Sequence, residues 1–164
     1  MNQTIYKKDT ANKKMDVSRE FAADVETTWK AWTDPALLDQ WWAPHPWKAK
    51  TKSMNFKEGG RWLYCMMGPD GSVHWARADY RTIVAPKYFI ADDCFCDENG
   101  VKNDQMPSMT WKVQFESSGA GTKVQVEITF ASEKDLQQII DTGFEEGFRM
   151  AHGNLDELLK KLEK

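Results

Sequence analysis

Two runs in the last third of the chain confine the fold more than any other feature. Met109, Trp111, Val113 and Phe115 alternate with Thr110, Lys112, Gln114 and Glu116. After Ser118-Gly119-Ala120-Gly121, Val124, Val126, Ile128 and Phe130 alternate with Lys123, Gln125, Glu127 and Thr129. Successive strand residues point to opposite faces, so each run has one apolar and one polar side. A glycine-rich turn between them makes an antiparallel hairpin with one dry and one wet face. Some other element has to cover the dry face.

The candidate cover follows directly. Ser132, with Asp135 three residues on, reads as a helix start. Leu136, Ile139, Ile140, Phe144, Phe148, Ala151, Leu155, Leu158, Leu159 and Leu162 then form one apolar stripe at helical spacing. Gly143, Gly147 and Gly153 interrupt it. Two readings of Gly143 and Gly147 stay open: close packing of the helix on the sheet, or space left for a ligand.

Upstream, turn signals divide the chain into further strands: Lys48 to Phe56, Arg61 to Met67, a long and bulged Val73 to Val84, and Tyr88 to Cys96. Before them, Met15 to Phe21 alternates as a strand, with Arg19 on its apolar side. Asp24 caps a helix from Val25 to about Trp32. Asp34-Pro35 starts a second short helix, with Leu37, Leu38 and Trp41 facing inward. Pro44 and Pro46 end it. Residues 1–14 are polar, lysine-rich and without periodicity, and are expected to form a loose arm before a single domain of residues 15–164. The expected class is α+β: a curved antiparallel sheet of about seven strands wrapped on a long C-terminal helix, with two short helices after the first strand.

The balance of residues excludes several functions. A net charge of −3 gives no electrostatic reason to bind nucleic acid. No apolar run approaches a membrane span, and the N-terminus lacks a secretory apolar core. The 3 Cys cannot all pair and none lies in a CxxC, which points to reduced thiols and a cytoplasmic location. No HxH, HExxH, serine elbow or phosphate-cradling loop occurs, so no metal, cofactor or catalytic residue is assigned. What stands out is 8 Trp, 8 Phe and 8 Met in a polar chain, enough for either a bulky core or an adaptable cavity.

The motifs resemble one family. SREFAAD (18–24), VETTWKAWTDPALLDQWWAP (25–44), FKEGGRWLYCMMGPDG (56–71), IVAPKYFI (83–90), GTKVQVEITF (121–130) and GFEEGFRMAHGNLDELL (143–159) are similar to the signatures of homologues of the heat-shock protein 90 ATPase activator's C-terminal domain. That family lies within the START/Bet v 1-like (SRPBCC) superfamily. The resemblance covers about Met15 to Leu162 and implies the helix-grip fold, with a cavity between sheet and last helix. Three positions depart from it. Asp24 stands where many relatives have proline, and Ala78 where they usually have glycine, which bears on local bulge geometry. His152-Gly153 replaces a leucine or other helix former, so an irregularity in the middle of the last helix is expected.

Strand parity and the resemblance nominate the cavity lining: Trp62, Tyr64, Met66, His74, Trp111, Val113, Phe115, Phe144, Phe148 and His152. Arg19, Glu58, Arg77 and Asp79 are polar candidates, each with a structural alternative as an ion pair or strand end. His45 and Trp47, in the tryptophan-rich stretch DQWWAPHPWKAK, are candidates for the rim, while Trp41 and Trp42 are assigned first to packing. The leading expectation is a module that binds a small hydrophobic molecule, lipid-like or aromatic, in a closed cavity of about 300 Å³ or more, without covalent chemistry. The alternatives are a co-chaperone that stimulates the heat-shock protein 90 ATPase, and a cyclase- or hydrolase-like enzyme. A monomer and a homodimer are both compatible with the sequence.

Overall fold

The structure, a computed structural model, describes residues 3–162. Eight strands form one antiparallel sheet: β1 (Ile5–Asp9), β2 (Lys14–Phe21), β3 (Lys48–Met54), β4 (Arg61–Met67), β5 (Val73–Val84), β6 (Tyr88–Cys96), β7 (Met109–Ser118) and β8 (Gly121–Phe130). Their order is β1-β2-β8-β7-β6-β5-β4-β3, so β1 and β3 are the free edges. Helices α1 (Val25–Thr33) and α2 (Pro35–Trp41) lie between β2 and β3, and α3 (Glu133–Asp141) and α4 (Phe144–Leu162) close the chain.

The hairpin that anchors the sequence pattern is β7–β8, in register from Met109↔Phe130 to Ser118↔Gly121. Its apolar residues, with Met15, Val17 and Phe21 of β2, form the sheet side of one continuous core. Trp32, Leu38 and Trp41 from the first helices and Phe148, Ala151, Leu155 and Leu159 from α4 form the other side. Asp24 caps α1 by accepting from the Thr27 N–H at 2.8 Å, and Asp34 caps α2 by accepting from the Ala36 N–H at 2.9 Å. The bulge in β5 falls between Tyr80 and Thr82, against β6. Ala78 pairs in regular register with Trp62 and Asp93. Gly60 is fixed by a close approach, because a Cβ there would lie 2.0 Å from the Asn55 carbonyl oxygen.

Three expectations change. Residues 5–9 are a strand and not a loose arm, which raises the strand number from about seven to eight. This segment has no apolar periodicity because polar contacts hold it. The Tyr6 hydroxyl donates to the Glu145 carbonyl at 2.7 Å, and Lys8 pairs with Glu145 at 2.9 Å. Met1 and Asn2 lie outside the described residues. Second, the C-terminal stripe is two helices. α3 ends at Thr142, and Gly143, at φ +87°, turns the chain in the left-handed region where glycine is favoured. Third, α4 runs unbroken through His152-Gly153, since His152 is buried and bonded within the grip.

Candidate ligand-binding site

Two spaces adjoin between sheet and helices. The outer one is a cleft of about 250 Å³ at the joint of α3 and α4. Phe144, Gly147 and Phe148 of the helix, Pro44, and Met66 of β4 border it, and Trp42 and Trp111 form its floor. Gly147 helps to keep it open, since a Cβ there would come within 3.6 Å of Pro44 Cγ. The inner space is a void of about 30 Å³ among Trp32, Trp42, Trp62, Tyr80, Asp93 and Trp111. It has room for little more than one water-sized group. Trp42 and Trp111 border both spaces and separate them. Among the described residues, neither space is the expected closed cavity of about 300 Å³; the inner one is largely filled by aromatic rings and the larger one opens outward.

The rings are held in defined orientations. Trp62 stacks on Tyr64 with centroids 3.9 Å apart, and Trp42 meets Trp62, Trp111 and Phe148 at 5.5, 5.8 and 6.0 Å. The Trp42 N–H donates to the Tyr64 hydroxyl at 3.0 Å. The Trp62 N–H donates to Thr51 Oγ1 at 3.0 Å, and Thr51 in turn donates to Asp39 at 2.6 Å. Such bonds lock ring orientation, because a buried N–H that turned away from its acceptor would lose it. Trp41 differs from its neighbour. It is fully buried and donates to the Ala31 carbonyl at 2.9 Å, which ties α2 to α1.

Among the nominated lining residues, Trp62, Trp111 and Val113 border the void, and Met66, Trp111, Phe144 and Phe148 border the cleft. Tyr64 lies behind Trp42 and Trp62. Phe115 sits further along the core against Trp29, at 5.0 Å. His152 packs on Phe148 at 4.1 Å, and its Nδ1 lies 2.8 Å from Thr4 Oγ1. Burial, helped by the nearby Arg19 charge, pushes its pKa down to about 3, so the imidazole is neutral. His74 does not join these residues. It is exposed on β5 and lies against Trp47, with centroids 5.4 Å apart. Trp47 and the exposed His45 therefore stand outside the cleft lining. His74 shares the face of β5 that carries Ala78 and Tyr80, but it lies near the start of the strand, where it is exposed beside Trp47.

Each of the polar candidates is engaged in a structural contact. Arg19 donates to Thr4 Oγ1 at 2.8 Å and is paired with Asp156 of α4. Asp79 accepts from Arg61 at 2.8 Å and Arg77 at 3.2 Å, and Glu58 accepts from the Ile83 N–H at 3.0 Å. Among the described residues, no group of three or more His, Cys, Asp and Glu could hold a metal ion.

Two residues of the site were missed. Trp42 is in the wall between the two spaces, although its motif assigned it first to packing. Asp93 borders the void and also an open polar trough where the β6–β7 pairing ends, lined by Arg77, Lys102 and Thr110. Desolvation pushes its carboxyl up to about 8 against the opposing hydrogen bond from the Cys94 N–H, with a further push from Asp79, so the acid favours its protonated form at neutral pH. The signal was present: Phe89, Ala91 and Asp93 share a face of β6, and the aspartate is the polar member of an apolar register.

Comparisons agree with this architecture. The chain matches the model of the family described as "Activator of Hsp90 ATPase homolog 1-like protein" over residues 22–160. A solved structure from Arthrobacter aurescens is similar at 34% identity and a TM-score of 0.90, covering 96% of this chain and 91% of that one. A Mycobacterium smegmatis protein gives 32% identity and a TM-score of 0.88, with 95% and 96% covered. A Staphylococcus epidermidis protein gives 29% and 0.84, with 95% and 93% covered. No functionally curated protein matches. With the helix-grip architecture and a family match spanning most of its length, the chain belongs to the Activator of Hsp90 ATPase homolog 1-like family, within the SRPBCC superfamily.

Proposed function

We propose that this protein is a binding module for a small apolar molecule, held between the sheet and α4 and admitted at the α3–α4 joint. The observation that carries this reading is the shared wall. A 250 Å³ apolar cleft and a 30 Å³ aromatic void are separated by the side chains of Trp42 and Trp111. Parting those two indoles would merge the spaces into a volume near the lower end for ligand sites, about 300 Å³. Aromatic surfaces of this kind bind by burial and by ring contacts, with few polar groups fixing orientation.

The test is titration with naphthalene-sized apolar compounds, followed by intrinsic tryptophan fluorescence. Saturable quenching that is lost in Gly147→Leu, whose side chain would occupy the cleft, is the expected result. A flat response across the panel would remove the reading. Native mass spectrometry of freshly purified protein gives a second readout, as a retained mass from the cytoplasm of the producing cell.

The family match supports a second reading, stimulation of the heat-shock protein 90 ATPase. It requires a rise in ATP turnover when this chain is added to the chaperone. No change at saturating protein would exclude it.

A further inference from the structure

Four indoles border the inner void, and their N–H groups form two pairs. Those of Trp42 and Trp62 have protein acceptors, Tyr64 and Thr51. Those of Trp32 and Trp111 are buried without a partner among the described residues. A buried donor left unpaired is unfavourable, and most such groups in folded proteins find an acceptor. The carboxyl at the void belongs to Asp93, and in its protonated form it also donates. Two buried indole donors of the lining thus lack an acceptor, while the Asp93 carboxyl and the Tyr80 hydroxyl can each donate as well as accept.

We infer that the site selects a neutral apolar molecule carrying a carbonyl-type oxygen, which accepts from the Trp32 and Trp111 indoles and from the Asp93 carboxyl. This rests on the binding-module reading and adds the chemistry of the ligand to it. The void, at about 30 Å³, admits an oxygen-bearing group and no ring. The ring body would lie in the 250 Å³ cleft beyond Trp42 and Trp111. An ammonium group is the competing idea, since aromatic faces and a carboxylate both attract cations. It supplies donors only, so both indoles would stay unpaired, and it would need Asp93 ionised.

The groups around Asp93 set its pH response. Asp79 and Tyr80 come from β5, Tyr64 from β4, and the Cys94 and Cys96 thiols from its own strand. Arg77 of β5 and Lys102 of the following loop border the trough on its open side. Arg77 is already bonded to Asp79. The carboxyl has a pKa of about 8, so its donor function is present below that pH and lost above it.

The test uses three compounds of one shape: 1-tetralone, its hydrocarbon tetralin and the cation 1-aminotetralin. Binding is followed through the indole N–H resonances of ¹⁵N-labelled protein, assigned with tryptophan-to-phenylalanine variants. The ketone is expected to bind about tenfold or more tightly than tetralin at pH 6.5, shifting the Trp32 and Trp111 signals. Its advantage should shrink in Trp111→Phe, which keeps an aromatic ring without the donor. Its affinity should fall as pH rises through about 8, and Asp93→Asn should remove that fall while keeping a donor. Equal binding of ketone and hydrocarbon, or tightest binding of the amine, would overturn the inference and leave the binding module standing. If none of the three shifts any indole signal, the binding module and the inference fall together.

Discussion

At the scale of single residues, two titratable groups, the buried His152 and the half-buried Asp93, set opposing pH slopes on stability. His152 has a pKa of about 3 in the fold against 6.5 for the unfolded chain. Its contribution is present above the unfolded value and is lost as pH falls from 6.5 towards 3. Asp93 is raised from 3.8 to about 8. Its contribution is fully present below 3.8 and is lost as pH rises through 8. Urea unfolding as a function of pH should separate them. Asp93→Asn is expected to raise stability at pH 8 by about 1–2 kcal/mol, a few degrees in Tm for a domain of this size, and to leave pH 4 nearly unchanged. We expect His152→Gln to flatten the slope between pH 6.5 and 3. A third residue-scale prediction concerns the ion pair. Asp156→Ala leaves Arg19 buried and uncompensated, at a cost of about 2–4 kcal/mol. Replacing both partners by apolar residues should cost much less, as read in the same unfolding assay. Asp93 shows how far the sequence could be read at this scale. Its inward register was visible in strand parity, but the adjacent Asp92 has the same chemistry, and only the packed sheet shows which carboxyl meets the aromatic rings. Trp42 was harder. It follows Trp41 in one motif, and the turn after α2 sends one indole into packing and the other to the wall of the site.

At the scale of elements, the joint between α3 and α4 is the position on which the cleft depends. Gly143→Ala places a side chain at φ +87°, where nothing else crowds it, so its effect is purely that of backbone strain. A loss of about 1 kcal/mol is expected, with a larger change in probe affinity than a distant surface substitution produces. Differential scanning calorimetry and the fluorescence titration check the two parts. The stripe from Leu136 to Leu162 was legible because helical spacing persists across the joint. The break was not, because periodicity does not register a single residue in the left-handed region. β1 escaped for a different reason. Thr4, Tyr6 and Lys8 are fixed to His152, Arg19 and Glu145 by polar contacts, and the partners on α4 are more than 130 residues away. No local pattern encodes such a contact. The β7–β8 hairpin, which buries a complete apolar face, was readable from alternation alone.

For the molecule as a whole, the order of strands has a consequence beyond the site. The sheet does not close on itself, so β1 and β3 each present one side without a strand neighbour. Unpaired backbone donors and acceptors along such a border invite another chain to add itself and propagate. Both borders carry exposed lysines, Lys7 and Lys8 on β1 and Lys48, Lys50 and Lys52 on β3. A register shift at Thr51 and Ser53 further disturbs β3. Bringing a second such border alongside would crowd like charges and strip water from them. Lysines so placed are expected to resist fibrous growth, whatever the site binds. Changing Lys48, Lys50 and Lys52 to threonine should leave the thermal midpoint nearly unmoved while light scattering rises with concentration and time; clear solutions would count against this role for the lysines.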